Sequence, residues 1–177
     1  MVTPLSACRA ALPAGWCQHA DLAAYLLPAL GLAVVIRILS KTHPVFFVLT
    51  LAGTLCHELA HFIAGLLTGA RPASLTVIPR RQGQQWRLGA VSLTRVRWWN
   101  AAPAALAPLL LLAIPVAVAW WRTRQGFRFE WLDGGLMFLL APQFLSFWPS
   151  ASDWRVAARS WPYLILISLI TWACFKL

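Results

Sequence analysis

The chain is poor in charge and poorest in acid: of its 177 residues only 11% are charged, and five of those are Asp or Glu. A soluble domain carries about 25% charged residues. The deficit excludes an ordinary soluble surface and sorts the chain with membrane proteins. Cys8, Cys17, Cys56 and Cys174 show no Cys-x-x-Cys spacing, which leaves no disulfide framework to build a small secreted fold. Residues 1–20 contain Pro4, Arg9, Pro13 and Gly15 but no long apolar run, so they read as an interfacial or loop segment and not as a secretory signal. Internal repeats and low-complexity tracts are absent, and no stretch fits a PDZ-like or nucleotide-binding domain. A single integral-membrane domain over residues 1–177 is expected, with regulation left to an unidentified partner or to substrate presentation.

What the chain does have is apolar length. Hydrophobic residues make up 60% of it, and they gather into about five runs: 22–39, 45–68, 101–121, 134–148 and 161–175. These predict a mostly α, polytopic membrane protein. The fourth and fifth runs are short for a crossing of about 30 Å and would borrow flanking residues. Pro28 in the first run, and Pro103, Pro108 and Pro115 in the third, are read as kinks of the kind membrane helices tolerate. Most of the eleven tryptophans lie near the ends of runs, as in an interfacial belt. The net charge of +10 comes from short basic groups between the runs. Scattered in this way they suit anionic lipid and the cytoplasmic membrane face, and nucleic acid is not expected as a partner.

Residues 69–100 are the most basic part, with Arg71, Arg80, Arg81, Arg87, Arg95 and Arg97. Ser74–Ile78 and Trp86–Leu93 read as two strands around a polar turn, Arg80–Gln85, giving a short β-hairpin after the second run.

That second run carries His57-Glu58-Leu59-Ala60-His61. On a helix, His-Glu-x-x-His sets two imidazoles one turn apart on one face, where both can bind one Zn2+, and leaves the glutamate as a general base. With four His and two Glu in the chain, a chance match is on the order of one in a thousand. Ionisable groups inside an apolar run cost a few kcal/mol each, and a metal ion is the partner that would offset that cost. Cys56, one helical step from His57, is expected to face elsewhere as a small apolar residue.

The segment from His57 to Arg71, His-Glu-Leu-Ala-His-Phe-Ile-Ala-Gly-Leu-Leu-Thr-Gly-Ala-Arg, resembles the site-2 protease family of intramembrane zinc metalloproteases, and residues 45 to about 155 resemble it in layout. The resemblance implies that His57 and His61 are zinc ligands and Glu58 the catalytic base. It also implies a third ligand: an aspartate on a later transmembrane helix, typically in Leu-Asp-Gly preceded by Asn and Pro residues. Asp133 has the local letters, Leu132-Asp133-Gly134-Gly135. Asp153 has the proline-containing approach, Pro149-Ser150-Ala151-Ser152-Asp153. If residues 69–100 are cytoplasmic, the second run descends, the third ascends and the fourth descends again. That order puts Asp153 at the inner end with the motif and Asp133 at the outer end, so Asp153 is preferred and Asp133 is the alternative. The losing aspartate is expected to be an interfacial acid paired with Arg128 or Arg155. The asparagine that the family carries before its aspartate has no counterpart; Asn100 is the chain's one asparagine, and no oxyanion donor is assigned.

The function expected from the motif and the resemblance is hydrolysis of peptide bonds in membrane-embedded or membrane-proximal protein substrates. The expected location is a bacterial cytoplasmic (inner) membrane, with the zinc site towards the cytoplasmic side. The alternative is a metal-binding scaffold or pseudoprotease that holds a client without cutting it. Metal transport would need polar residues along several spans, and the other runs have almost none.

Overall fold

Residues 20–40 carry only Asp21 and Arg37 as charges, and so apolar a segment satisfies its backbone in lipid by closing into a helix. The computed structural model describes residues 14–42, 48–77, 80–82, 85–87, 89–124 and 129–176. Helix α1 spans Ala14–Thr42, and Pro28 lies inside without ending it. After a 3₁₀ turn at residues 48–50, α2 runs over Leu51–Leu67 and carries the motif. The third run divides into α3 (Ala101–Leu106), a 3₁₀ stretch (Ala107–Leu112) and α4 (Ala113–Arg124). Then come α5 (Trp131–Ser146), α6 (Ala151–Ala157), a 3₁₀ turn (Ala158–Ser160) and α7 (Trp161–Lys176). His43 lies outside the described residues.

Among the described residues, three helical segments are long and apolar enough to cross a membrane: Ala20–Ser40, Val48–Leu67 and Ala101–Arg124. The five expected runs thus yield three spans of full length. With 16 residues, α5 rises only about 24 Å. Ala151–Tyr163 and Ile165–Lys176 together pass the same test but meet at a 65° bend, as a broken span or a re-entrant loop.

The chain divides into two compact units. One comprises the residues up to Gly53 with Leu110–Phe147; the other comprises Thr54–Leu109 and Trp148–Leu177. In the first, α1 packs on α4 and α5. Tyr25, Ala29, Ala33 and Ile36 are buried, at steps of four, four and three residues that mark one face of α1. Ala119, Met137 and Leu140 close the core against Tyr25 and Ala29. A buried polar clasp fastens one end. Asp133 Oδ1 accepts from Tyr25 Oη at 2.8 Å and Arg122 Nε at 2.8 Å, and Oδ2 accepts from Arg122 Nη2 at 2.9 Å and the Glu130 amide at 2.9 Å.

In the second unit, α2 ends in a Schellman turn. The Ala70 amide reaches Gly65 O at 2.7 Å and the Gly69 amide reaches Leu66 O at 3.3 Å. Gly69 takes φ +72°, which a residue without Cβ adopts at little cost. The chain then enters β1 (Pro72–Thr76), which pairs antiparallel with β4 (Ala90–Leu93) in the register Ser74↔Ser92, Leu75↔Val91 and Thr76↔Ala90. Between them β2 (Arg80–Gln82) and β3 (Gln85–Arg87) form a second small ladder. The expected hairpin is therefore two stacked ladders. Arg80–Gln82 and Gln85, expected in the turn, are strand, and the strand expected over Trp86–Leu93 is interrupted at Gly89.

Asn100 is 1% exposed and gathers the return to α3. Its Oδ1 accepts from the Arg97 amide at 2.7 Å, while Nδ2 donates to Arg95 O at 3.0 Å and Thr68 O at 3.4 Å. Helix α3 meets α6 through Ala102, Ala105 and Ala157, small side chains that let two backbones come close. Ser160 Oγ accepts from the Ala102 amide at 2.8 Å and donates to Trp98 O.

Candidate metal centre

Three elements of the second unit deliver the site. Helix α2 supplies His57, Glu58 and His61; its i, i+4 spacing sets the two imidazoles edge to face at an interplanar angle of 81°, with their Nε2 atoms 3.2 Å apart. Helix α6 supplies Asp153 from its first turn. Ser150 is the N-cap: its amide donates to Asp153 Oδ2 at 2.7 Å, and the Asp153 amide donates back to Ser150 Oγ at 3.3 Å. This capping box fixes the carboxylate, with Oδ2 at 3.7 Å from His57 Nε2 and 3.5 Å from His61 Nε2.

Helix α3 supplies a backbone carbonyl. His61 Nδ1 lies 2.8 Å from Ala104 O, and a proton held there leaves Nε2 with its lone pair towards His57 and Asp153. The sequence explains why that carbonyl is open to a side chain. In a regular α-helix its donor would be the amide four residues later, and residue 108 is a proline with no N–H. The backbone tightens to 3₁₀ over Ala107–Leu112 at this point. Pro108, expected only as a kink, thus makes a carbonyl available to the His61 ring.

His57, His61 and Asp153 each offer one donor atom, all within 4.8 Å of one another, and could hold a metal ion. His61 is buried, and His57 and Asp153 are partly so. Asp133, the alternative, sits in the other unit with its carboxylate already bonded to Arg122, Tyr25 and the Glu130 amide. The Arg122 guanidinium is the counter-charge of this fully buried carboxylate, at 2.8 Å. The ionic partner of Asp133 is therefore Arg122 rather than Arg155; Arg128 lies outside the described residues. Asn100, with its side chain committed to three backbone groups, shapes the turn before α3. Cys56 is half-buried and in no disulfide.

Glu58 is 9% exposed and meets β4. Leu93 lies against Gly65, where a Cβ would fall 2.7 Å from Leu93 Cδ2, and Gly89 lies against Glu58. Two such contacts, seven residues apart on the helix and four apart on the strand, mean that β4 runs alongside α2, since about 10 Å of helix matches about 13 Å of strand. Nothing in the residue pattern had joined Gly89 to the motif.

No protein-family profile, no curated protein and no solved structure matches this chain.

Proposed function

We propose that the chain is an intramembrane zinc metalloprotease of site-2 protease type, hydrolysing peptide bonds of membrane-embedded or membrane-proximal proteins. The observation that carries this reading is the convergence of His57, His61 and Asp153 beside Glu58 on an apolar helix. Zinc bonds of about 2.0–2.2 Å at the tetrahedral angle separate ligand atoms by about 3.3–3.6 Å. The three separations here are 3.2, 3.5 and 3.7 Å. Two imidazoles and a carboxylate suit zinc and leave a fourth position open, as a catalytic rather than a purely structural site requires.

When bound, Zn2+ supplies Lewis-acid polarisation of the scissile carbonyl and lowers the pKa of water at the site. Glu58 takes a proton from the attacking water and delivers it to the departing amine. Asp153 and the Ala104 carbonyl hold the imidazoles in one orientation and one tautomer. The substrate is a locally unwound transmembrane segment, laid as an extra strand on the β1–β4 sheet. In this reading α5 and α7 complete five spans, residues 69–100 face the cytoplasm, and the site lies towards the cytoplasmic side of a bacterial inner membrane.

The test is Glu58→Gln. It is expected to retain the wild-type metal content while cleavage of a co-expressed single-span reporter falls by about 10²-fold or more. Cleavage at the wild-type rate would remove Glu58 from the mechanism. The commitment of Asn100 to backbone groups favours a second reading, a metal-holding scaffold that binds clients without cutting them. Metal content without cleavage in the wild type, together with reporter capture, would establish that one.

A further inference from the structure

Gly89 is not held at positive φ, so its backbone would accept any residue. What excludes a side chain is Glu58. A Cβ at position 89 would fall 2.5 Å from Glu58 Cγ, 2.7 Å from Oε1 and 2.9 Å from Cδ. Real carbon atoms do not approach so closely, and here they would meet the middle of the side chain as well as its end.

Both sides of this contact are anchored. Gly89 immediately precedes Ala90, which is paired with Thr76 in the β1–β4 ladder, and Thr76 Oγ1 donates to Ala90 O at 3.3 Å. The far end of the same ladder is joined to the end of α2, because the Thr94 amide reaches Arg71 O at 3.1 Å and the Arg95 amide reaches Ala70 O at 2.9 Å. A glutamate has three side-chain torsions, and on an open helix face it samples many of their combinations. With strand backbone laid over its Cγ and carboxylate, most of them are closed.

We propose that Gly89 is the positioning residue for Glu58: the missing side chain lets the strand backbone seat the carboxylate next to His57, His61 and Asp153. The role in turnover rests on the protease reading above; the seating itself does not. A methyl group at position 89 would push the Glu58 carboxylate out of its place while leaving the two histidines and the aspartate untouched.

The experiment is a double-mutant cycle on the full chain in detergent micelles, with melting temperature and zinc content measured for each variant. Gly89→Ala is expected to lower the melting temperature by several degrees in the wild-type background. In a Glu58→Ala background, where the obstructing Cγ and carboxylate are gone, the same change should lower it by less than a third as much. Zinc content should stay at the wild-type value throughout. If Gly89→Ala fails to fold alone, recovery of a folded Gly89→Ala/Glu58→Ala protein carries the same meaning. An equal loss in both backgrounds, failure of both to fold, or no loss in either would overturn the proposal. For turnover, Gly89→Ala should cut reporter cleavage at least tenfold, and Glu58→Asp, one methylene shorter, should restore part of it only in the Gly89→Ala background. If the wild type cleaves nothing, the melting cycle still decides the seating, so the failure of one proposal is distinguishable from the failure of the other.

Discussion

Asp133 and Asp153 occupy the same local position, the third residue of a helix in a capping box, yet they have opposite surroundings. Arg122 and Tyr25 meet the first, and two imidazoles meet the second. Asp153→Ala should therefore lose bound zinc, as should His57→Ala and His61→Ala, when metal is measured on purified protein. Asp133→Ala should leave the metal content unchanged but lose stability by about 3 kcal/mol, because it leaves the Arg122 guanidinium with only the exposed Glu130 carboxylate at 3.8 Å. That His57 and His61 would share one helix face was legible from spacing alone. Which aspartate lies beside them was not legible from local letters, since Leu132-Asp133-Gly134 is the better match. The order of the spans pointed to Asp153, and the Arg122 partner of Asp133 lay beyond any local pattern.

At the scale of elements, a defect in one helix serves a ligand on another. Pro108 leaves Ala104 O without its α-helical donor, and His61 Nδ1 stands 2.8 Å from that oxygen. Pro108→Ala restores an N–H that competes for the carbonyl and removes the local cause of the 3₁₀ stretch. Zinc affinity should weaken by about 10–100-fold, the usual range for losing such a partner, as measured by competition with a chromophoric chelator. Unchanged affinity would mean that the histidine keeps its tautomer by other means. Proline's presence could be read in the sequence, but its use could not, because the histidine concerned is 43 residues from the Ala104 carbonyl that the proline frees. The strands show the same division. Alternation over Ser74–Ile78 and around Val91 located the sheet, whereas the inner ladder of Arg80–Gln82 with Gln85–Arg87 was hidden by its polar composition.

At the scale of the molecule, apolar surface decides where the chain resides. Helix α7 exposes Ile165, Leu166, Ile167, Leu169, Ile170 and Trp172, each by more than half. A helix that is apolar all round belongs in lipid or in a core, and among the described residues these side chains have no core around them. The full chain should remain in the membrane pellet after alkaline carbonate extraction; recovery in the supernatant would count against three crossing helices. Composition alone made the membrane class legible. Span lengths were less so, because the ends of α5 and the bend between Tyr163 and Ile165 depend on caps and packing that hydropathy does not register.

Two of the candidate ligands ride on a helix of 17 residues and the third on one of seven, and if they hold an ion this inequality has a kinetic meaning. Helices so short are marginal on their own and fray from their ends, and Asp153 lies in the first turn of α6. Release of the ion is then paced by the opening of that turn rather than by motion of the longer helix. Removing the Ser150 hydroxyl weakens the cap by about 1 kcal/mol, which raises the open population about fivefold. Ser150→Ala should surrender its zinc to excess chelator about five times faster than the wild type, while holding the same number of ions at saturation. The centre would thus have a fixed half and a half that lets go.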